Sequence, residues 1–377
     1  MRLFGGCFIA LAVVAVLPLG ASGQDRTFGV HPYAVLGLRT DRSAGVNLGD
    51  VDGDGDLDAV VANGRHWAQQ NEVLFNNGRG TFTVAQPLSS RRSTSYAAPL
   101  ADFDGDGDLD VAVANDRAPN RIYLNDGSGE YEDAGTFGVD TAPARSLTVS
   151  DVDGDGFLDL LVTNRGAENA IYFNDGAAGF SHRVPFGSAD DATISVAVGD
   201  VDHDGDSDLV LANREGQQNY VYLNDGSIDF TESKPFGSGT DETRAVALGD
   251  LNGDGFLDIV TANIGEPNGV YFGDGTGSFS EGIAFGRSDG PTYAVATTDW
   301  DLDGDEDIVV GNARMSNAIF FNNGDGRTYS ELRFGEEEHV TYGLAVGDLN
   351  GDAYPEIVVA NSDGPNIIYI NRAAEGR

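Results

Sequence analysis

Seven nine-residue stretches of the chain carry only Asp, Asn or Glu at positions 1, 3, 5 and 9. Position 1 is Asp50, Asp102, Asp151, Asp200, Asp250, Asp299 and Asp348. Position 3 is Asp52, Asp104, Asp153, Asp202, Asn252, Asp301 and Asn350. Position 5 is Asp54, Asp106, Asp155, Asp204, Asp254, Asp303 and Asp352, and position 9 is Asp58, Asp110, Asp159, Asp208, Asp258, Asp307 and Glu356. Oxygens at 1, 3 and 5 converge on a hard cation when the backbone turns sharply, and Gly at position 6 permits a left-handed turn. A backbone carbonyl at position 7 and the carboxylate at 9 would close the shell. A carbonyl ligand is indifferent to its side chain, and position 7 varies freely: Asp56, Asp108, Phe157, Asp206, Phe256, Asp305 and Tyr354. That contrast separates ligand from non-ligand positions in a way that acidity alone does not.

Oxygen donors without nearby His or Cys favour calcium over zinc or copper. Magnesium keeps its waters and rarely takes an all-protein cage. Up to seven calcium ions are therefore expected. The bidentate Glu at the twelfth position of an EF-hand is missing, so affinities on the order of 0.1–1 mM are expected, as in extracellular modules. The bland alternative is that Asp and Gly simply make good turns between strands. The sites should be unequal: Asn252 and Asn350 each remove a carboxylate, and the last loop has Ala353 in place of Gly at position 6. A left-handed Ala costs on the order of 1–2 kcal/mol.

The elements that position these loops follow from their interval. Successive copies start 52, 49, 49, 50, 49 and 49 residues apart, a period of propeller blades or stacked arrays. In the third copy, Ser146–Ser150 reads as a strand leading into the loop, Leu158–Asn164 as a second, Ala170–Asn174 as a third and Gly179–Phe186 as a fourth. Asn-Asp-Gly or Asn-Asn-Gly hairpin turns recur at 76–78, 125–127, 174–176, 224–226 and 322–324. Phe-Gly precedes loops three to seven by 14 residues, at Phe137, Phe186, Phe236, Phe285 and Phe334. This combination, Phe-Gly, then the acidic loop, then the Asn-Asp-Gly turn, resembles the FG-GAP and VCBS repeat family, which includes the propellers of integrin α chains. The resemblance spans about residues 25–371. It implies an all-β, seven-bladed propeller of four-stranded blades, with calcium between the first and second strands of each blade. The seventh copy ends after its third strand at 367–371, while Arg26-Thr27-Phe28 with Leu36-Gly37 imitates a fourth strand. The N-terminal segment should therefore complete the last blade. An open superhelix is the alternative.

Composition bounds the rest. Residues 1–23 have the pattern of a signal peptide, Arg2, an apolar run and Ala21-Ser22-Gly23, leaving 24–377 as the propeller and the mature chain secreted or periplasmic. The single Cys, Cys7, lies in that run, and no second apolar stretch suits membrane insertion. Net charge is −39, and 26 carboxylates occupy the loop positions, four in each of five loops and three in each of the other two. Such a field disfavours nucleic acid.

In a blade of this design the acidic loops and the Asn-Asp-Gly hairpins share one rim. Twelve of the 22 basic residues sort to the other: Arg39, Arg42, Arg65, Arg91, Arg92, Arg117, Arg145, Arg165, Arg214, Arg244, Arg287 and Arg314. Arginine offers a planar fork for carboxylates and sugar hydroxyls. Arg65, Arg117, Arg165, Arg214 and Arg314, with Trp67 as a stacking surface, are the candidate ligand residues for an extracellular protein or glycan. The competing reading pairs these arginines with Asp140, Asp190, Asp191, Asp241, Glu242 and Asp289, and leaves Trp67 covering apolar surface. Trp300 reads as packing. Five scattered His (31, 66, 182, 203, 339) and no nucleophile elbow argue against catalysis, so a monomeric binding or adhesion module is expected. A polysaccharide lyase or other carbohydrate-active enzyme, or a purely structural domain, are the alternatives.

Overall fold

The structure is a computed structural model and describes residues 26–29, 35–37 and 40–374. The signal-peptide segment, His31 and Arg39 lie outside the described residues. Seven antiparallel sheets follow one another, each opening on an acidic-loop hairpin. In the third blade the strands are Ala144–Ser150, Asp159–Asn164, Asn169–Phe173 and His182–Phe186, within a few residues of the sequence expectation. The fourth blade runs Thr193–Gly199, Asp208–Asn213, Gln217–Leu223 and Glu232–Asp241. The last sheet takes its outer edge from the other end of the chain. Arg26–Gly29 pairs antiparallel with Asn366–Ala373, Phe28 opposite Asn371, and Val35–Leu36 pairs further along the same strand. The ring is closed, as the imitation of a fourth strand predicts.

Second strands are buried throughout their length in every blade, which is why they read as continuous apolar runs rather than alternating ones. The core is not one mass but seven layers between neighbouring blades. Leu160 and Tyr172 of the third blade pack on Phe103 and Ile122 of the second, and Val46 and Ala59 of the first on Val358 and Ile368 of the seventh. Position 2 of each acidic loop is the plug that enters the layer: Val51, Phe103, Val152, Val201, Leu251, Trp300 and Leu349 are all nearly inaccessible. Trp300 is fully buried against Phe28 and Phe321, so its packing role stands and it also anchors the closing strand.

Polar ties reinforce these layers. In five blades the Asn after the third strand or at its end donates its side-chain amide to the carbonyl of position 2 in the preceding blade, as Asn125 does to Val51 at 2.8 Å, Asn174 to Phe103 at 2.9 Å and Asn371 to Trp300 at 2.9 Å. Asn76 to Leu349 at 2.8 Å carries the same tie across the ring closure. At the other end of the blade, Asn366 Nδ2 donates to Ser43 Oγ at 3.0 Å, and Ser43 Oγ to Asn63 Oδ1 at 2.7 Å. A Ser or Thr starts the first strand of six blades; the third has Ala144, and there the facing Asn164 Oδ1 is buried without a partner, as is Asn263 Oδ1 opposite Thr243 in the fifth.

Every first strand also carries a β-bulge at its second residue. A bulge re-aims one side chain out of the ladder. The residues so released are Ala44, Tyr96, Arg145, Ile194, Arg244, Tyr293 and Tyr342.

Candidate functional site

Each acidic loop is organised by its first residue. Asp50 accepts the backbone N–H of Gly53 at 2.8 Å and Asp54 at 3.1 Å on one oxygen, and of Gly55 at 3.0 Å on the other. Asp54 in turn accepts the N–H of Asp56 at 3.0 Å. Wrapping this tightly needs left-handed backbone at position 6, where φ is 91° at Gly55 and 72° at Ala353, so the strain expected of Ala353 is present. Position 4 is left-handed as well, a requirement the sequence reading missed because two of its seven residues, His203 (φ 62°) and Leu302 (φ 60°), are not glycine.

Carboxylate oxygens of Asp50, Asp52 and Asp58 lie within 4.8 Å of one another, as do those of Asp102, Asp104 and Asp110, of Asp151, Asp153 and Asp159, and of Asp200, Asp202 and Asp208. In the sixth loop the convergent set is Asp299, Asp301 and Asp303. The position 5 acids of the first four loops stand outside these closest sets, as does Asp307 in the sixth. Buried oxygens of Asp151, Asp202 and Asp301 have no hydrogen-bond partner. Buried unpaired carboxylate oxygens are costly, and a cation among them removes the cost, so the donor set fits a hard divalent ion. Loop seven differs. Asn350 Nδ2 donates to Glu356 Oε1 at 2.8 Å, so an amide already occupies one oxygen that a cation would use.

The carboxylate at position 9 does more than complete a cage. Asp58 accepts the N–H of Val51 at 3.1 Å and of Asn76 at 2.8 Å, joining the loop to the end of the third strand. The same pair of bonds recurs in every blade, down to Glu356 with Leu349 at 2.8 Å and Asn371 at 3.4 Å. Burial nevertheless dominates their ionisation. It lifts Asp58, Asp110, Asp159, Asp208 and Asp258 to about 6, Glu356 to about 7 and Asp307 to about 8, the hydrogen bonds opposing only in part. Asp301, buried beside Asp303 and Asp299, is likewise raised to about 6. Position 7 side chains stand outside the loop, over the hairpin glycine. A Cβ on Gly176 would come within 2.6 Å of the Phe157 ring.

The opposite rim joins the loop after each second strand to the following crossover through backbone bridges such as Asp116 to Pro143 and Ala313 to Val340. Many of its arginines are paired: Arg42 with Asp363 at 2.7 Å, Arg145 with Asp116 at 3.0 Å, Arg214 with Glu242 and Arg287 with Asp289 at 3.4 Å each, and Arg165 with Glu215. The pairing expectation thus holds for Glu242 and Asp289, while Asp191 and Asp241 cap their own crossovers through Ser188 and Ser238. Arg165 and Arg214 are therefore not free forks. Arg117 and Arg314 are exposed, adopt φ of 55° and 57°, and form no ion pair among the described residues. Trp67 is 64 % exposed, with Arg42 above its ring at 5.4 Å, so it does not cover apolar surface. Arg65 is not out on the rim but turns inward over the Tyr342 ring at 4.3 Å.

Comparison with known proteins agrees with this geometry. No curated protein matches the sequence. Among solved structures, BBS1N, crystallised in complex with ARL6DN, superposes with a TM-score of 0.58 at 14 % identity over 88 % of this chain and 92 % of its own. YCF48 from Cyanidioschyzon merolae gives 0.58 at 10 % identity over 92 % and 98 %, and Hsv2 from Kluyvelomyces marxianus 0.52 at 12 % over 86 % and 90 %. These likenesses concern the fold. The model of the FG-GAP-like repeat matches six overlapping stretches, 50–113, 102–162, 151–211, 200–261, 250–310 and 299–359, each running from one acidic loop to the strand after the next, and the chain belongs to that family.

Proposed function

We propose that this is an exported, calcium-stabilised propeller that works by binding a protein partner on its arginine rim. The observation that carries the reading is the division of charge between the ends of the ring. Acidic loops with orphaned carboxylate oxygens occupy one rim, while exposed and unpaired Arg117 and Arg314 stand on the other in a chain of net charge −39. Calcium neutralises the first rim and fixes the loops to which neighbouring blades are tied. The second rim then meets a partner with an acidic surface. That BBS1N was crystallised with ARL6DN supports a protein rather than a glycan as the occupant of a ring of this shape. Binding alone is the activity; uronic-acid polymers incubated with protein and calcium should yield no cleavage product.

The test is metal counting and thermal melting of residues 24–377 with and without calcium, together with capture of exported proteins on the immobilised chain. Capture should vanish with chelator and in an Arg117→Ala, Arg314→Ala double variant of unchanged melting temperature. Undiminished capture by that variant removes the rim from the proposal, and a melting temperature indifferent to calcium removes the ion.

A further inference from the structure

Bulged residues bring side chains to the axis of the ring, and contacts between blades that are not neighbours show it for Tyr96, Arg244 and Tyr342. Arg244 of the fifth blade lies over the Tyr342 ring of the seventh at 4.7 Å, and Tyr96 of the second approaches the same ring at 6.2 Å. Tyr293 meets Tyr342 edge-on at 5.2 Å, and Arg65 enters from the first blade to stack on it at 4.3 Å. Arg145 stacks on Tyr96 at 4.6 Å but has Asp116 as its counter-charge.

Arg244 and Arg65 have no carboxylate partner among the described residues. Arg244 is 8 % exposed, and Arg65 Nε is buried without a hydrogen bond. Two guanidiniums share one tyrosine ring, while Asp116 and Asp363 at this end are paired with Arg145 and Arg42. A buried guanidinium beside a like charge and without an anion is expensive, and ring stacking offsets only part of the cost. The local field is correspondingly positive. Burial alone would raise the Tyr342 hydroxyl, yet Arg244 and then Arg65 outweigh it and bring the phenol below its ordinary value.

We infer that the arginine end of the axis is a receptor for a carboxylate, carried on an acidic side chain of the partner and gripped by Arg65 and Arg244 beneath Tyr342. The inference rests on the protein-binding reading above and names the chemistry that the partner must present. The rings of Tyr96, Tyr293 and Tyr342 touch, with centroids 5.2–6.2 Å apart, so the acid must reach the guanidiniums from the arginine rim and not between the rings. His66, exposed at the mouth and 3.3 Å from the Tyr96 hydroxyl, and Trp67 beyond it would contact the residues flanking that acid.

The experiment titrates calcium-loaded residues 24–377 with acetyl-Gly-Glu-Gly-amide, acetyl-Gly-Gln-Gly-amide and glucuronate, following arginine Nε–H and tyrosine ring signals by NMR. The glutamyl peptide should shift Arg65, Arg244 and Tyr342, and the glutaminyl peptide should bind roughly tenfold more weakly or worse, since a charged hydrogen bond is lost. Arg244→Met and Arg65→Met should each abolish the shifts without lowering the melting temperature, because each removes a guanidinium with no carboxylate partner among the described residues, Arg244 buried and Arg65 half-buried. Equal binding of the two peptides, tighter binding of glucuronate, or a lower melting temperature in both variants overturns the inference. Loss of capture in the Arg117, Arg314 double variant with the peptide titration intact would separate the rim from the axial receptor.

Discussion

In the absence of divalent metal the stability of this protein should fall as pH rises, the reverse of the usual behaviour of carboxylates in folded proteins. The seven position 9 acids are driven by burial to about 6 in five blades, about 7 at Glu356 and about 8 at Asp307. An acid whose pKa is raised by folding binds its proton more tightly in the native state than in the unfolded chain. Its contribution is fully present below the unfolded value near 4 and is lost as pH climbs through the folded value. A rise of two units corresponds to about 3 kcal/mol for each such group. Halving the total for relaxation and water entry still leaves on the order of 10 kcal/mol, as much as the whole stability of an ordinary domain. Urea unfolding with chelator, from about pH 5 to about pH 8, should show the midpoint dropping steeply; about 5 mM calcium, well above the expected 0.1–1 mM affinities, should abolish the drop. Asp307→Asn should remove the part of the slope above about pH 6 that belongs to this residue. A flat or rising profile in the metal-free protein would refute the reasoning.

Three smaller changes test the other links. Ala144→Ser should supply the hydroxyl that the buried Asn164 oxygen lacks and raise stability by about 1 kcal/mol in chemical denaturation. Ala353→Gly should relieve the left-handed strain at φ 72° and raise stability by about 1 kcal/mol, seen as a higher melting temperature even without metal. Phe28→Ala should cost about 3–4 kcal/mol, because the ring fills the space between Trp300, Phe334 and Tyr369 and fastens the closing strand; limited proteolysis should then attack the Arg26–Gly29 strand first.

The blade count, the strand positions and the seam were legible because they depend on local rules repeated seven times. Acid spacing, hairpin turns and the missing fourth strand each leave a mark on the chain. The second duty of the position 9 acids was hidden, since a carboxylate that holds two backbone N–H groups looks in sequence like one that holds a cation. The hairpin Asn is a similar case: it reads as turn chemistry, yet its amide reaches a carbonyl of the previous blade. A signal existed, because Asn76, Asn125, Asn174, Asn224, Asn322 and Asn371 recur where many turn residues would serve. Of the arginines that the sequence assigns to the second rim, Arg65, Arg145 and Arg244 turn to the axis. Arg145 and Arg244 are set apart by the bulge, which a one-dimensional pattern of strand residues does not announce, and Arg65 reaches the same rings from the loop after the second strand.

The seam has a consequence for how copies of the chain meet. Until Arg26–Gly29 arrives, Asn366–Ala373 is a bare edge with unpaired backbone groups and the hollow left by Phe28. The two segments lie about 340 residues apart, and closing so long a loop costs roughly 5 kcal/mol of chain entropy. At high concentration the first strand of a second copy meets the same edge with the same side chains and no such loop to close. Refolding from concentrated solution should thus yield exchanged dimers that dissociate only as fast as a blade unzips, while dilute refolding yields closed single rings.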